Sequence, residues 1–364
     1  MSYVSSAWWG CFILPPLPET EEPRGTNEPK NMRLSQQAMA ACKPVLDTVW
    51  VVFIFAAIGI VLIPIGAVCA AYGIKPVEVS ARYETCFNAF PGTTSNWGRE
   101  KFIWANANND AALTCTLLIN ITQNMSPPIY VFYEMNGFFQ NNRRYVSSRS
   151  DQQLVNYNNP DTSYCLQELN YEGNSSQIIN PCGLTAWTNF NDSYTVSVLR
   201  QAASPSSFQQ IPITSKGIAP EPDQSNMFAA YNTTYFNPSI NQYRGGANIT
   251  VPVNSDDRFI IWMKLAPLSK FRKLWGLIET PLFAGDVIEV SAVNRYNSFA
   301  FNGQKSIVLS TTTWLGGVNP FLGISFLVTG CVSVVVGVLY FITAVYIRPR
   351  QLGDLSVLQG WDDK

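Results

Sequence analysis

The sequence contains no histidine among its 364 residues. Its absence excludes imidazole acid–base catalysis, histidine metal ligands and the histidine-containing triads. No run of lysine or arginine exceeds two residues and the formal net charge is −1, so a nucleic-acid partner is not expected. Phosphate-binding glycine loops, G-x-S-x-G nucleophile elbows and C-x-x-C pairs are also missing. We therefore predict no catalytic site, no cofactor and no metal centre.

Charge is missing from two long stretches, residues 48–74 and 306–347. A bilayer core of about 30 Å requires roughly 20 apolar residues in a helix, and each stretch supplies them. We predict transmembrane helices at residues 49–73 and 320–347. The first apolar run begins almost fifty residues into the chain, behind a polar tract, which predicts an uncleaved signal anchor rather than a signal peptide. The lack of intramembrane charge argues against transport by this chain alone.

Glycosylation acceptor triplets, Asn-x-Ser/Thr, occur only between the two predicted helices. They begin at Asn120, Asn124, Asn174, Asn191, Asn232 and Asn248. Positive charges near the helix ends favour the same orientation weakly. We predict cytosolic tails at residues 1–48 and 348–364 and an exoplasmic or lumenal domain at residues 74–319.

Four of the eight cysteines lie in the predicted outer domain: Cys86, Cys115, Cys165 and Cys182. An even number in an oxidising compartment predicts two disulfides. Three pairings are possible, and the nearest-neighbour pairing closes loops of moderate length. The other four, which we expect to be unpaired, are Cys11, Cys42, Cys69 and Cys331.

The outer domain has several short segments rich in β-branched and aromatic residues and bounded by turn-forming residues. They begin at Ile129, Phe259, Val287 and Ser306. The predicted fold is therefore that of an α+β membrane protein, in which two transmembrane helices flank a large, antiparallel-β-rich, disulfide-bonded and glycosylated ectodomain. We interpret the acidic pair Asp256-Asp257 as a solvated turn rather than as a metal or carboxylate site.

Glycines recur every seven residues in both predicted helices. They include Gly59 and Gly66 in the first helix, and Gly323, Gly330 and Gly337 in the second. Three such glycines stay within about 40° of one helix face. A smooth stripe lets another helix approach closely, so we interpret the stripes as packing surfaces, which face either each other or a partner's helix. The alternative is that glycine is simply common in membrane helices.

Strings of residues along the chain resemble one known family. They are Lys30-Asn-Met-Arg-Leu-Ser-Gln-Gln, Cys42-Lys-Pro-Val-Leu, Ile63-Pro-Ile-Gly, Phe139-Gln-Asn-Asn-Arg-Arg-Tyr, Pro181-Cys-Gly-Leu-Thr-Ala-Trp, Phe190-Asn-Asp-Ser-Tyr, Ile261-Trp-Met-Lys, Phe271-Arg-Lys-Leu-Trp-Gly, Phe301-Asn-Gly-Gln-Lys, Ser310-Thr-Thr-Thr-Trp-Leu-Gly-Gly and Pro349-Arg-Gln-Leu-Gly-Asp. The chain resembles the cell-division-control-fifty or ligand-effect-modulator family, most of all its plant and protist branch. The resemblance covers residues 31–354 but not the loops within residues 204–254.

The resemblance implies a non-catalytic β-subunit of a type-IV P-type ATPase, the phospholipid flippases. Such a subunit forms a heterodimer with the catalytic subunit among membrane lipids, and is needed for its folding, exit from the endoplasmic reticulum and activity. The expected locations are the endoplasmic reticulum, Golgi, endosomes or plasma membrane. We predict the nearest-neighbour pairs Cys86–Cys115 and Cys165–Cys182, and the resemblance supports the second pair in particular, because the string around Cys182 matches the family closely. The competing hypotheses are a two-helix ligand-gated channel and a receptor or adhesion glycoprotein.

Overall fold

The computed structural model describes residues 48–87, 92, 95–156, 161–165, 168–200, 207–237 and 246–347. The chain divides into two compact units. One unit is Tyr72–Asn319, and the other contains the described helical residues before Tyr72 and after Asn319. Of the predicted cytosolic tails, all but Thr48 lies outside the described residues, and so do Cys11 and Cys42.

The helices and strands alternate irregularly along the chain. In order they are α1 (Thr48–Ile74), β1 (Glu78–Arg82), α2 (Asn96–Ala105), α3 (Asp110–Leu113), β2 (Thr114–Asn120), β3 (Ile129–Asn136), α4 (Arg143–Ser147), α5 (Asp151–Val155), α6 (Leu184–Trp187), β4 (Ser193–Leu199), β5 (Gln209–Ile211), α7 (Glu221–Asn226), α8 (Asp257–Met263), β6 (Lys270–Ile278), β7 (Val287–Val293), β8 (Gln304–Ser310) and α9 (Phe321–Ile342). A single π-helical turn, Thr343–Ile347, continues α9.

The two long helices, α1 and α9, form where the sequence carries no charge. Both are long and apolar enough to cross a membrane, over Val49–Ile74 and Phe321–Ile347. The 27 residues of α1 rise about 40 Å, which exceeds the roughly 30 Å of a bilayer core. The ends of α1 lie within one residue of the predicted range 49–73.

The strands of the unit Tyr72–Asn319 form two antiparallel sheets of four strands each. The first has the order β1-β8-β3-β6 and the second the order β2-β7-β4-β5. Along β3, buried and partly exposed side chains alternate without interruption, as the period of two requires for a strand that buries one face. Buried residues of both sheets, such as Val131 and Val290, belong to one hydrophobic core. The domain is a β-sandwich to which short helices are added.

Three of the four predicted strand segments are strands, namely those that begin at Ile129, Val287 and Ser306. The prediction for the Phe259 segment was wrong, because this segment forms helix α8. Asp256 initiates the helix, since its side chain accepts a hydrogen bond from the backbone N–H of Phe259 at 3.0 Å. Four of the five residues from Phe259 to Met263 are buried, so the apolar run belongs to a helix that is covered almost all round. Periodicity cannot distinguish such a segment from a strand.

The interpretation of Asp256-Asp257 as a solvated turn was also wrong. Asp257 is buried, and its carboxylate accepts hydrogen bonds from the backbone N–H of Ile218 at 3.0 Å and from Gln224 Nε2 at 2.7 Å. The pair therefore initiates α8 and connects it by hydrogen bonds to α7 and to the segment before α7.

Candidate assembly site

The described residues hold no candidate metal centre. None of their His, Cys, Asp and Glu residues form a group of three or more that could hold a metal ion. A cleft of about 250 Å³ lies between α5, α7 and α8. Its acidic residues, Asp151 and Asp223, form ion pairs with Arg149 and Lys264. The cleft thus offers paired charges around an apolar floor.

A buried polar network joins the two sheets of the sandwich. The Lys305 side chain, on β8, is 1% exposed, and its Nζ donates to Asp192 Oδ2 at 2.6 Å. Asp192 precedes β4 in the other sheet, and its Oδ2 also accepts from the Tyr83 hydroxyl at 2.7 Å. Its Oδ1 accepts from the backbone N–H of Tyr296 at 2.6 Å. The carboxylate is therefore satisfied on both oxygens.

The ammonium of Lys305 is equally well enclosed. Besides Asp192, it donates to the carbonyl oxygen of Tyr296 at 2.6 Å and to the side-chain oxygen of Asn294. Burial lowers the pKa of Lys305 below its ordinary value, while the Asp192 carboxylate opposes this shift. Since a buried charge pair is costly unless every lone pair and proton has a partner, this geometry specifies how the sheets align.

A second buried lysine, Lys273 on β6, caps helix α8. Its Nζ donates to the carbonyl oxygens of Ile261, Trp262 and Lys264, at 3.2, 2.6 and 2.6 Å. These carbonyls end the helix, where the helix dipole favours a cation and so opposes the effect of burial. Burial lowers the pKa of Lys273 to about 7.

Sequence reasoning did not single out Lys305, Asp192 or Lys273. A signal was present, because all three lie inside the strings that carry the family resemblance. Two of the strings also meet in the interior, where Trp262 Nε1 donates to the carbonyl oxygen of Thr185 at 2.8 Å. In a third string, the side-chain oxygen of Gln140 accepts from the N–H of Ala266, which lies outside the strings, at 2.9 Å. The buried members of the strings thus specify the core of the domain.

The four predicted disulfide cysteines are joined as Cys86–Cys115 and Cys165–Cys182, with Cα atoms 5.3 and 5.7 Å apart. These are the nearest-neighbour pairs. The first bond links the segment after β1 to strand β2, and the second links two loop segments. On the chain-entropy model, each bond stabilises the fold by about 3–4 kcal/mol. Cys69 and Cys331 are unpaired.

Five of the six predicted glycosylation acceptors are exposed on the surface: Asn120, Asn124, Asn174, Asn232 and Asn248. Asn191 differs from them, because it is only partly exposed and its side-chain oxygen is buried. It also lies between buried Phe190 and buried Asp192. Because Asn191 is less exposed than the other five acceptors, we expect it to be the least accessible to glycosylation.

The glycines of α1 and α9 lie where these two helices meet. A Cβ atom added to Gly323 would lie 2.2 Å from the backbone nitrogen of Ala70, and one added to Gly66 would lie 2.7 Å from the backbone nitrogen of Leu327. Added Cβ atoms at the remaining three glycines would also approach the opposite helix closely; these are Gly59, Gly330 and Gly337. The stripes therefore face each other, and packing of these glycines against a partner's helix stays a prediction.

Comparison with known proteins identifies the family. The profile of the LEM3 (ligand-effect modulator 3) family / CDC50 family matches residues 56–351. The chain is 37% identical to ALA-interacting subunit 3 of Arabidopsis thaliana, over 92% of this chain and 91% of that protein. It is 31% identical to cell cycle control protein 50A of Bos taurus, over 91% of this chain and 93% of that protein.

A fungal relative has a name that describes its role. The chain is 28% identical to the phospholipid-transporting ATPase accessory subunit CDC50 of Chaetomium thermophilum, and the match covers 91% of each chain. The resemblance stated from the sequence strings is confirmed by these matches, and the family match runs from within α1 to beyond α9. The chain is a member of the LEM3/CDC50 family.

Proposed function

We propose that this chain is the non-catalytic accessory subunit of a phospholipid-transporting P-type ATPase. The observation that carries the proposal is its similarity, over about nine-tenths of both chains, to a relative named as the accessory subunit of such an ATPase. ATP hydrolysis and the lipid path belong to the partner, a type-IV P-type ATPase catalytic subunit, with which this chain forms a heterodimer.

The proposed topology has two membrane spans, α1 and α9. The tails, residues 1–48 and 348–364, are cytosolic, and residues 74–319 form the exoplasmic domain. Two observations support this orientation. The glycosylation acceptors all lie in the middle segment, and both disulfides lie there too, which fits an oxidising compartment.

The proposed role of the outer domain is that of a rigid docking body. The Cys86–Cys115 disulfide and the buried Lys305–Asp192 pair join the two sheets, and the Cys165–Cys182 disulfide joins two loop segments. A preorganised surface loses little conformational entropy on binding, so it can stabilise a partner's folded state by mass action. This is how the chain would support folding of the catalytic subunit, its exit from the endoplasmic reticulum towards the Golgi, endosomes or plasma membrane, and its activity.

The test is co-expression with type-IV P-type ATPase catalytic subunits, purification in mild detergent and measurement of lipid-stimulated ATP hydrolysis. We expect a one-to-one complex that is active, whereas each chain alone is inactive. A cation-transporting P-type ATPase serves as the control partner and should not co-purify. Recovery of this chain only as a homo-oligomer would contradict the proposal and favour the channel hypothesis. ATP hydrolysis by this chain alone would contradict it as well.

A further inference from the structure

A tight turn of the outer domain presents a tryptophan at the exit of the first helix. Thr313 and Gly316 exchange backbone hydrogen bonds at 2.9 Å in both directions, and Gly316 has φ 109°, which favours glycine. Between them stands Trp314, whose side chain is 69% exposed. A closed turn thus holds a large aromatic ring outward in a fixed position.

The turn is fastened to the last residues of α1. The Thr313 hydroxyl donates to the carbonyl oxygen of Tyr72 at 3.2 Å, and the N–H of Asn319 donates to the carbonyl oxygen of Gly73 at 2.9 Å. The rings of Trp314 and Tyr72 meet edge to face, with centroids 5.7 Å apart. Lys75 Nζ lies 5.7 Å from the Tyr72 ring. The indole of Trp314, the phenol of Tyr72 and the ammonium of Lys75 therefore lie close together at the end of α1.

This cluster coincides with the end of a charge-free stretch. Lys75 is the first charged residue after α1, and Tyr72 lies in the last turn of that helix. Trp314 lies within the second charge-free stretch, ahead of the start of α9 at Phe321. The helix α1 is about 10 Å longer than a bilayer core, so its end belongs in the headgroup layer. Tryptophan, tyrosine and lysine are the side chains that favour this layer, with the ring at the acyl boundary and the polar group toward phosphate and water.

We propose that Tyr72, Lys75 and Trp314 form an anchor that lies in the phospholipid headgroup layer of the exoplasmic leaflet. The proposal rests on the proposed topology, in which α1 spans the membrane. Hydrogen bonds from the turn to the carbonyl oxygens of Tyr72 and Gly73 hold the three side chains of the anchor together. The ammonium of Lys75 lies among lipid phosphates, and the indole N–H of Trp314 reaches the same polar layer.

The test measures the depth of Trp314 in the full-length chain reconstituted into lipid nanodiscs. The sequence has 10 tryptophans, so the Trp314 signal is taken as the difference in fluorescence between the wild type and Trp314→Phe. The matched control is Trp97→Phe, because Trp97 is 59% exposed on α2. Asn96 of α2 bonds to Asn302, which precedes β8, whereas the turn with Trp314 follows the opposite end of that strand. Lipids that carry a nitroxide on the headgroup, high on the acyl chain or deep on it act as quenchers, and iodide acts from the water. Intact disulfides on non-reducing gels verify that both variants fold.

We expect headgroup and shallow nitroxides to remove most of the Trp314 signal, and deep nitroxides to remove less. The Trp97 signal should be lost to iodide and unaffected by the lipids. Quenching of Trp314 by iodide and by none of the lipid nitroxides would contradict the proposed anchor. The measurement is repeated with the catalytic subunit bound. If lipid quenching of Trp314 then disappears, the ring docks on protein and the lipid assignment is wrong.

Two further measurements distinguish an error in the anchor proposal from an error in the proposed function. If alkaline carbonate extracts the chain from membranes, the topology and the anchor both fail. If the chain resists carbonate and co-purifies with an active ATPase while lipid nitroxides leave Trp314 untouched, only the anchor is wrong.

Discussion

Substitution of Lys305 by methionine removes the cation of the buried pair and keeps most of the side-chain volume. Asp192, whose side chain is 0% exposed, would then retain the hydrogen bonds from the Tyr83 hydroxyl and the Tyr296 N–H but lose its counter-charge. Breaking a buried pair by removing one partner costs about 3–5 kcal/mol, because an uncompensated charge stays in the interior. Native proteins are stable by only about 5–15 kcal/mol, so this is a large part of the total.

The loss is measurable as a fall in melting temperature. For a domain of this size, 1 kcal/mol corresponds to about 2–4 °C, so we expect Lys305→Met to lower the midpoint by about 10 °C. The assay is thermal unfolding of the full-length chain in detergent, followed by tryptophan fluorescence with the disulfides intact. The fluorescence reports the outer domain, which buries Trp262 and Trp275.

The matched control is Lys270→Met on strand β6. Lys270 pairs with Glu134 at 3.3 Å, but its side chain is 62% exposed, so the pair contributes at most about 1 kcal/mol. The double variant Lys305→Met with Asp192→Leu should recover part of the loss, because neither charge remains buried. If Lys305→Met shifts the midpoint no more than Lys270→Met does, the buried pair does not hold the sheets together as argued.

Three other outcomes are expected. The free energy of unfolding should rise between about pH 7 and 9, because burial lowers the pKa of Lys273 to about 7 and the unfolded chain keeps a proton that Lys273 releases on folding. Urea unfolding at each pH should show a smaller slope of this free energy against pH in Lys273→Met and an unchanged slope in Lys270→Met. Gly323→Leu should separate α1 from α9 and reduce co-purification of the catalytic subunit, whereas Val328→Leu on an exposed part of α9 should not; equal recovery of both variants would contradict this. When the acceptor asparagines are changed to glutamine one at a time, Asn191→Gln should leave the number of glycans unchanged on gels, and a lost glycan would refute the reasoning from burial.

The two long helices could be predicted because their signal is local and strong. Each of the two stretches has more than twenty residues without charge, which favours one long apolar helix, and the ends of α1 fall close to the predicted limits. The strands that begin at Ile129 and Val287 were predictable for a similar reason, since alternation or β-branched content lies within the segment itself.

Other features of the structure could not be predicted from the local sequence. Helix α2 is initiated by Ser95, whose side chain accepts from the N–H of Gly98 at 3.2 Å, but a lone serine before a mixed segment is weak as a helix signal. The pairing of Lys305 with Asp192 joins residues 113 positions apart, and no local pattern pairs one with the other. Long-range polar pairs of this kind depend on the packed fold.

The family strings contain both buried and exposed residues, and the two groups resemble the family for different reasons. Within the string that starts at Phe139, Gln140 is fully buried and holds the N–H of Ala266, so the requirement for an interior hydrogen bond explains its presence. The Phe139 side chain is 61% exposed, and Arg143 lies on the surface of α4. An exposed aromatic ring does not contribute to interior packing, and aromatic residues are enriched at interfaces with partners. We therefore expect the exposed members of the strings, rather than the buried ones, to carry contacts outside this chain, with Trp314 at the bilayer and Phe139 at the catalytic subunit.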